Sequence, residues 1–342
     1  MLVANIKDVA KHLGVSVSTV SRAMNNHPDV REETKLQVME AIRALNYRPN
    51  AIARGLINKK TYTIGLMIPE ISDPFFAGLA NAVEETFSKQ GYQVVYGNTN
   101  RDPVKEKQFL SNAIERQFDG LIITPDFLDD TFKELISGLD MPVVFLRRRT
   151  PPGISAPYVD VDHYEAATEA VKYLIELGHR QIGFIGMPES SFTGIQRLLG
   201  YRDTMWKHSL LSDDSNIVMS GGRNIDSGRE AMSRLFERSP KVTAVFAGND
   251  LLGIGALEWL AQQNIAVPEQ ISVIGFDNLE YAELHWIQLT TMEQPRTEMG
   301  TKAAELLLQM ISDKQMTPES ELIKARLVVR QSCKALQTTL SR

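Results

Sequence analysis

Short apolar segments alternate with amphipathic helical segments over most of this 342-residue chain, from about residue 62 onward. TIGLMI at residues 63–68 and IGFIG at residues 182–186 have the length of buried strands, whereas the segments between such runs repeat apolar residues at helical spacing. This alternation predicts parallel sheets with helices on both faces. The strands form two consecutive series, so we expect an α/β fold with two doubly wound sheets.

The predicted elements divide the chain evenly between the two series. The first series has predicted strands at 63–68, 93–98, 120–124 and 142–146 and helices near 75–90, 103–117 and 129–138. The second has predicted strands near 182–186, 217–219, 242–247 and 271–275 and helices near 163–177, 194–207, 227–238 and 250–263. A helix near 296–312 and a strand near 322–329 are expected to complete the sheets as crossovers. Parallel sheets bind ligands beyond the carboxyl ends of their strands, which predicts a cleft between two lobes.

The first residues of the chain follow a different pattern. The segment IKDVAKHLGVSVSTVSRAMN, residues 6–25, predicts two short helices, the first ending at Gly14 because glycine accepts a left-handed conformation. Ser16 can cap the second helix with its hydroxyl. A third helix, predicted at about 32–45, closes the group. The pattern is typical of a helix-turn-helix, whose second helix presents side chains to the DNA major groove.

Charge is distributed unevenly along the chain. Residues 1–60 contain ten Lys or Arg and five acidic residues, a net charge of +5, whereas the whole chain carries −5. A basic head on an acidic body confines phosphate attraction to one end of the molecule. The pattern indicates nucleic-acid binding by the head, and a head that binds protein is the alternative.

Composition excludes several other classes. There is no apolar run near the roughly 20 residues that a membrane span requires, and the N-terminus has charged residues in place of a signal core, so we expect a cytoplasmic protein that contacts no membrane. Cys333 is the only cysteine, which excludes an internal disulfide and a cysteine-cluster metal site. The six histidines lack metal-ligand spacing, so neither a metal nor a cofactor is expected. His179 is interpreted as a polar residue at a helix-to-strand junction.

The segment NYRPNAIARGLINKKT, residues 46–61, predicts a very short helix in which Pro49 suits the first position and Ala51, Ala53 and Leu56 share one side. Isolated helices below about 12 residues are marginal. We therefore expect this hinge helix to be ordered only when it packs on a symmetry mate and on DNA. A plain flexible linker is the alternative.

Several stretches together are specific for one family. They are IKDVAKHLGVSVSTVSRAMN, NYRPNAIARGL, TIGLMIPEISDPFF, FDGLIITP, VKYLIELGHRQIGFIG, TGIQRLLGY, VFAGNDLLGIGAL, ISVIGFDN, LTTMEQP and LVVRQS. In these the chain resembles the lactose-repressor and galactose-repressor (LacI/GalR) family of bacterial transcription regulators over essentially its whole length. The resemblance implies a dimeric repressor whose core is like periplasmic sugar receptors and whose DNA affinity changes when an effector binds.

The implied organisation is a three-helix helix-turn-helix head, a hinge helix and a two-lobed periplasmic-binding-protein-like core. The expected boundaries are 1–48 for the head, 49–60 for the hinge, and 61–342 for the effector-binding and dimerisation core, with one lobe at about 61–161 and 291–321 and the other at about 162–290 and 322–342. The expected partners are palindromic double-stranded operator DNA, a small-molecule effector and a second copy of the chain. The chain lacks the leucine heptads that tetrameric relatives append, which favours a dimer.

The resemblance also implies which residues contact DNA. Val17, Ser18 and Arg22 are expected to read bases, and Arg22 is the strongest candidate because a guanidinium can bind guanine bidentately. Residues expected to contact or support the DNA backbone are Asn5, Ser16, Thr19, Ser21, Asn25, Thr34 and Tyr47. The expected hinge contacts are Leu56 as a minor-groove wedge and, beside it, Asn50 and Ala53.

Nine residues are expected to line the effector site by the same comparison. They are Phe75, Phe76, Asp126, Arg147, Thr193, Arg197, Arg223, Asn249 and Asp277. One of the two phenylalanines is expected to pack against the ligand, with plain core packing as the alternative. Arg197 is expected to donate a hydrogen bond to the effector, and Asn249 and Asp277 are expected to hold ring hydroxyls.

One departure from the family bears on the effector. Sugar-binding members commonly have Asp after the fourth strand, in a pattern such as PVVLIDR, whereas this chain has PVVFLRRR with Arg147 at that position. Arg only donates hydrogen bonds and prefers carboxylate or phosphate. With Arg197 and Arg223, this predicts an anionic carbohydrate such as a uronate, an aldonate or a sugar phosphate. The alternative is that residues 147–149 are a solvated strand end.

Two other classes of function compete with a regulator. A solute receptor without a regulatory role would share the cleft, but it would not need a helix-turn-helix. An enzyme is disfavoured, because GIGALE at residues 253–258 lies in a predicted helix without the third glycine of a nucleotide loop, and no GxxxxGK[ST] is present. No catalytic triad or carboxylate pair can be argued from the spacing.

Overall fold

The computed structural model of the protein describes residues 4–24, 26–47, 60–210, 213–313 and 315–336. By their internal contacts the residues form two units, Met1–Tyr62 and Thr63–Arg342. Among the described residues, no helix has the length and apolar character needed to cross a membrane.

The first unit is a bundle of three helices, α1 Ile6–Leu13, α2 Val17–Met24 and α3 Glu32–Ala44. Asn5 caps α1 in a capping box, and Gly14 ends it with a left-handed φ of 64°. Val9, Val20 and Val38, one from each helix, are fully buried and form the centre of a small core. The three helices predicted from the sequence are confirmed.

The second unit contains twelve strands and eight helices in the described ranges. Its strands are β1 Thr63–Ile68, β2 Gln93–Asn98, β3 Gly120–Ile123, β4 Val143–Leu146, β5 Tyr158–Val161, β6 Ile182–Gly186, β7 Ile217–Met219, β8 Ala244–Ala247, β9 Ser272–Asp277, β10 Thr290–Glu293, β11 Glu321–Ile323 and β12 Arg326–Val328. Its helices are α4 Pro74–Ser88, α5 Pro103–Glu115, α6 Asp130–Ser137, α7 His163–Glu176, α8 Phe192–Lys207, α9 Ile225–Arg238, α10 Asp250–Gln262 and α11 Arg296–Ser312, with a 3₁₀ turn at Glu280–Glu283.

These strands form two six-stranded sheets, ordered β11-β5-β4-β3-β1-β2 and β12-β10-β9-β8-β6-β7. Every pairing is parallel except that of β10 with β12. Helices connect most successive parallel strands, whereas residues 147–157 join β4 to β5 without a helix and the 3₁₀ turn lies between β9 and β10. Each sheet is the centre of one lobe, which confirms the predicted pair of doubly wound α/β units.

Two strands, β5 and β10, were not predicted from the sequence, and one predicted strand proved to be two. β5 and β10 were missed because their sequences, YVDV and TTME, contain polar residues that are nonetheless buried. In β10 the burial is possible because Thr291 donates to Asp250 and Thr290 accepts from the Arg330 amide. The strand predicted near 322–329 is two short strands, one in each sheet.

The pairings also move the expected lobe boundaries. β10 pairs with β9, so residues 290–293 belong to the second lobe, whereas the sequence-based boundary placed 291–321 in the first. β11 pairs with β5, which keeps residues up to Ile323 in the first lobe. The chain therefore passes between lobes after β5, after β10 and between β11 and β12.

One glycine of GIGALE, Gly255, serves helix packing. Gly255 lies inside α10, and a Cβ there would meet the Ile225 carbonyl of α9. Gly228 of α9 approaches the Leu252 backbone in the same way. Because Gly228 and Gly255 have no side chains, α9 and α10 pack closely. This packing explains the presence of Gly255 without a bound nucleotide.

His179 lies between α7 and β6, as expected from the sequence. Its ring is buried and hydrogen-bonds Thr243, Ser272 and the Lys334 carbonyl. Burial lowers the pKa of His179, so the neutral ring joins these segments as a structural group.

Candidate functional site

The second helix of the head presents an open polar face. Val20 and Ala23 are packed into the head core, whereas Val17, Ser18 and Arg22 are exposed. The α2 backbone therefore fixes the directions of these three side chains, which are the ones expected to read bases. Within the described part of the head Arg22 forms no ion pair, so its guanidinium is available to a partner.

Ser16 fixes the start of α2. Its Oγ accepts the Thr19 amide at 3.1 Å and lies 2.7 Å from the Ser18 Oγ and 2.8 Å from the Thr19 Oγ1. This is the capping role expected from the sequence. The hydroxyls of Ser16, Ser18 and Thr19 form one connected group at the helix N-terminus, where free amides favour negatively charged groups such as DNA phosphates.

The remaining expected DNA contacts differ in their environments. Asn5 uses its side-chain oxygen to cap α1, Ser21 and Thr34 are half-buried, and Tyr47 packs against the head core. Tyr47 therefore stabilises the head, and its contact with DNA stays a prediction. Four expected contacts lie outside the described residues, namely Asn25, Asn50, Ala53 and Leu56.

In the core, Arg147 follows β4 and contacts both lobes. It has a left-handed φ of 60°, and its guanidinium carbon lies 5.2 Å from the ring centres of both Phe75 and Phe76. Its Nη2 donates to Thr193 Oγ1 of the second lobe at 3.1 Å. These four expected residues therefore meet at one point between the lobes.

Phe75 and Phe76 stand at the start of α4, which Asp73 caps through the Phe75 amide. Both rings are buried, and they pack edge to face with centres 5.3 Å apart. They are core residues that also supply a π face to Arg147, an arrangement that attracts cations. The core-packing alternative is confirmed, and packing of one ring against the effector stays a prediction.

Arg197 is the centre of a second group. It is completely buried in α8, where it donates to the Gly248 carbonyl and to His163 Nδ1, the latter at 3.3 Å. Its Nη2 lies 3.6 Å from Asp277 Oδ1, and its guanidinium carbon lies 3.6 Å from the centre of the Phe276 ring. The charge of Arg197 is thus met inside the protein by Asp277.

Burial shifts the pKa values of Asp277 and His163, which lie beside Arg197. It raises the pKa of Asp277 despite the Arg197 charge, and it lowers the pKa of His163 to about 4, so that His163 is neutral near pH 7. Gln294, at the crossover after β10, donates to Asp277. His163 follows the crossover after β5. The group therefore connects the cleft with two of the segments that join the lobes.

Asp126 belongs to a third group, in the loop after β3. Its carboxylate accepts from Arg101 at 2.7 Å, and Arg101 also pairs with Glu70 at 3.4 Å. Glu106 accepts the Asp126 amide at 2.9 Å, while Arg148 donates to the Asp126 carbonyl at 2.7 Å. The loop is held from both sides, and Arg101 shares its one positive charge among Asp126, Glu70 and Asp73.

Arg223 and Asn249 meet in the second lobe. Asn249 caps α10 by accepting the Leu252 amide, and its Nδ2 donates to the Arg223 carbonyl at 3.0 Å. Its amide is therefore used within the protein and holds the Arg223 loop in place. Burial, followed by repulsion from Arg101, lowers the pKa of Arg223 to about 10.

The alternative that residues 147–149 are a solvated strand end holds only for Arg149. Arg147 and Arg148 are half-buried, and Arg148 lies over the Phe192 ring at 4.7 Å. Arg149 is exposed and pairs with Asp162 at 3.1 Å.

Sequence reasoning missed Arg101, Glu106, His163 and Gln294, all of which contact the expected residues. Arg101 could have been noticed because it follows β2, at the same sheet edge as Asp126 and Arg147. Glu106 and His163 carry no such signal, since both are polar residues on helices whose burial depends on distant contacts. The described residues contain no group of three His, Cys, Asp or Glu side chains arranged to hold a metal.

Comparison with known proteins agrees with this architecture. Residues 5–50 match the bacterial regulatory proteins of the lacI family, and residues 171–333 match the periplasmic binding protein-like domain. Catabolite control protein A of Priestia megaterium is 34% identical over 330 residues, covering 96% of this chain and 99% of that protein.

Solved structures show the same likeness. The transcriptional regulator CelR in complex with cellobiose is 31% identical, with a TM-score of 0.73 over 96% of this chain and 99% of CelR. The lac repressor dimer bound to operator and the anti-inducer ONPF is 26% identical, with a TM-score of 0.87 over 97% of this chain and 99% of that chain.

A helix-turn-helix head and a two-lobed core with a cleft define the class of DNA-binding transcriptional regulators with an effector-binding domain. The chain belongs to the LacI family of bacterial transcriptional regulators. The relatives found are regulators and repressors, not enzymes.

Proposed function

We propose that this regulator represses genes of carbohydrate use and that a small acidic molecule bound between the core lobes controls its affinity for the operator. In this proposal the chain acts as a homodimer on palindromic DNA, with α2 of each copy reading one half-site. The lac repressor, which shares its fold, is a dimer on operator DNA.

The observation that carries the DNA-reading part is the exposed face of α2. Val17, Ser18 and Arg22 project from a helix that the head core holds rigidly, and a single bidentate Arg contact discriminates between bases by about 1–3 kcal/mol. The basic charge of the head adds affinity that is independent of sequence. A solute receptor without a regulatory role would require neither feature.

The effector part rests on the cleft. Arg147, Phe75, Phe76 and Thr193 meet between the lobes. CelR, a relative, binds cellobiose, a neutral sugar. A site with donors in place of the usual aspartate favours a ligand that supplies acceptors and negative charge. We therefore assign the effector to the acidic sugar derivatives, which include sugar acids and sugar phosphates.

Operator selection from random DNA, followed by binding assays, tests the proposal. The full chain should select an inverted repeat, and Arg22→Ala should relax base preference at one position of each half-site. Arg43→Ala, which removes an exposed charge on α3, is the matched control and should weaken binding equally on all sequences. Selection of a sequence without two-fold symmetry, or an Arg22→Ala preference identical to that of the unmodified protein, would contradict the proposal.

A further inference from the structure

The guanidinium of Arg147 lies where several residues expected to line the effector site converge. Its central carbon is 5.2 Å from the centre of the Phe75 ring and 5.2 Å from that of the Phe76 ring, and its Nη2 donates to Thr193 Oγ1 at 3.1 Å. Phe75 and Phe76 belong to the first lobe and Thr193 belongs to the second. A side chain of the protein therefore already makes the ring and hydroxyl contacts that this site offers to a ligand.

Little space is left around this guanidinium. The cavity beside it, whose lining includes Leu146, Phe192 and Thr193, has a volume of about 10 Å³, which is room for about one water molecule. Sites for small molecules commonly measure about 300–1,000 Å³. A molecule of sugar size can therefore take the place of the guanidinium, or the space beside it, only after the Arg147 side chain has moved.

Arg147 is also held less firmly than the arginine that follows it. Arg148 donates to the carbonyls of Pro125 and Asp126 at 3.0 Å and 2.7 Å, which ties it to the backbone of its own lobe. In the described structure Arg147 forms no ion pair, its guanidinium hydrogen-bonds Thr193, and its Nε is buried without an acceptor. A hydrogen bond to a hydroxyl and two ring faces are contacts that a competing ligand can replace.

The backbone of Arg147 has an uncommon conformation. Its φ of 60° lies in the left-handed region, which residues other than glycine rarely adopt and which is enriched at functional sites. Glycine adopts this conformation without steric cost. The side chain can therefore be removed at this position while the backbone is retained.

The surroundings of the guanidinium define the kind of group that fits there. The faces of the Phe75 and Phe76 rings attract a cation, and the Thr193 hydroxyl accepts a hydrogen bond from it. A guanidinium meets both conditions, because it is a planar cation with N–H donors. These three side chains therefore match a planar cation in charge and in hydrogen bonding.

We propose that the space between Phe75, Phe76 and Thr193 is a binding site for a planar cation and that Arg147 fills it as an internal ligand. This inference rests on the proposed effector function of the cleft and describes its regulation, since an effector that binds there displaces the Arg147 guanidinium. An acidic effector offers its own oxygens to the displaced guanidinium, so the donors stay paired. Effector binding thus replaces the hydrogen bond between Arg147 and Thr193, which crosses from one lobe to the other.

Chemical rescue of the emptied site tests the proposal. Arg147→Ala removes the side chain beyond Cβ, and ethylguanidinium has the same carbon and nitrogen atoms as the part removed. Thermal unfolding of the full chain is followed with millimolar ethylguanidinium at constant ionic strength. The Tm of Arg147→Ala should lie below that of the unmodified protein and should rise saturably with the probe, because a ligand that binds only the folded state stabilises it. The unmodified protein should show no rise, because Arg147 fills the site.

Arg147→Gly is a second variant that suits the left-handed backbone. It should respond to propylguanidinium, which replaces the additional carbon, and this response keeps the test decisive where Arg147→Ala does not fold. Adding Thr193→Val to either variant removes the hydroxyl acceptor. The apparent affinity for the probe should then fall several-fold, which assigns the response to this site.

Two controls separate a cation site from general effects of the probe. Ethylurea has nearly the same shape as ethylguanidinium but no charge, so it should give no rise in Tm. Arg149→Ala removes a neighbouring exposed arginine and should not respond to ethylguanidinium.

No rise in either Arg147→Ala or Arg147→Gly, an equal rise in the unmodified protein or in Arg149→Ala, or an equal rise with ethylurea would overturn the internal ligand. The experiment uses neither operator DNA nor an effector. Its failure would therefore leave operator selection and the acidic effector intact, and failure of either of those would leave the rescue result intact.

Discussion

Arg147 Nη2 and Thr193 Oγ1 lie 3.1 Å apart and form a hydrogen bond that crosses from the first core lobe to the second. Arg147 is at the end of β4, and Thr193 is in the first turn of α8. Thr193 is buried, so the contact is shielded from water. The side chain that departs most clearly from the sugar-binding family pattern is thus also one that joins the lobes.

Replacement of the acceptor in this contact should weaken the connection between the two core lobes. Thr193→Val keeps the shape of the side chain but leaves a guanidinium donor unpaired, so the free energy of unfolding should fall by about 1 kcal/mol. Thr193→Ser keeps the hydroxyl and is the matched control. Urea denaturation of both variants checks the prediction, and equal stability of Thr193→Val and Thr193→Ser would count against an energetic role for the contact.

Replacement of the donor should change ligand preference. Arg147→Asp restores the acceptor that sugar-binding relatives commonly carry, so affinity should shift from acidic toward neutral sugars. Operator binding without ligand should be unchanged because the head is not altered. Calorimetry with a hexose, its uronate and its 6-phosphate measures the shift. Tighter binding of the neutral hexose by the unmodified protein would exclude an acidic effector.

The sequence predicted the elements whose signals are local. The capping role of Ser16 and the glycine stop at Gly14 are set within one turn, so the head could be derived from neighbouring residues. β10 could not be derived in this way, because the hydroxyls of Thr290 and Thr291 find their hydrogen-bond partners, Arg330 and Asp250, far away in the sequence. The predicted lobe boundary was wrong at β10 as well, because the pairing of β10 with β9 determines to which lobe this strand belongs.

The candidate site shows the same limit. The sequence analysis placed Arg147, Arg197 and Arg223 near one cleft, but the sequence does not show which carboxylates approach them. Asp277, at the end of β9, lies 3.6 Å from Arg197 of α8, whereas Arg147 and Arg223 form no ion pair in the described structure. Net charge in a cleft depends on these pairings, and the pairings arise only from the tertiary fold.

Glu106 provides a pH-dependent test of the loop that carries Asp126. Burial raises the pKa of Glu106 to about 7. A carboxyl with a raised folded pKa binds its proton more tightly in the folded state, so the stability it contributes at low pH is lost as the pH rises from about 4.5 to about 7. Glu106→Gln removes that loss while keeping an oxygen that can accept the Asp126 amide.

We therefore expect Glu106→Gln to gain stability relative to the unmodified protein between pH 5 and pH 8, by about 1 kcal/mol or more at the upper end. Glu115→Gln, an exposed position on the same helix, is the control and should show no such trend. Denaturant titrations at several pH values give the difference curve. A difference that is constant with pH would show that Glu106 does not titrate in this range.

His163 should give the opposite dependence. Burial lowers the pKa of His163 from 6.5 to about 4, so the folded protein binds this proton less readily than the unfolded chain does. The stability that the neutral ring contributes is complete above pH 6.5 and is lost as the pH falls toward 4. Glu106, Asp250 and Asp277 act in the other direction, because burial raises the pKa of each, so only a difference between variants isolates His163.

His163→Gln removes the titrating ring, and the unmodified protein should lose up to about 3 kcal/mol relative to this variant as the pH falls from 7 to 4. The control is His285→Gln, at an exposed position in the same unit, which should track the unmodified protein at every pH. Urea denaturation across this range measures both differences. If the His163→Gln difference stayed level from pH 7 to pH 4, the folded ring would take up its proton over the same pH range as the unfolded chain, which would contradict a lowered pKa of His163.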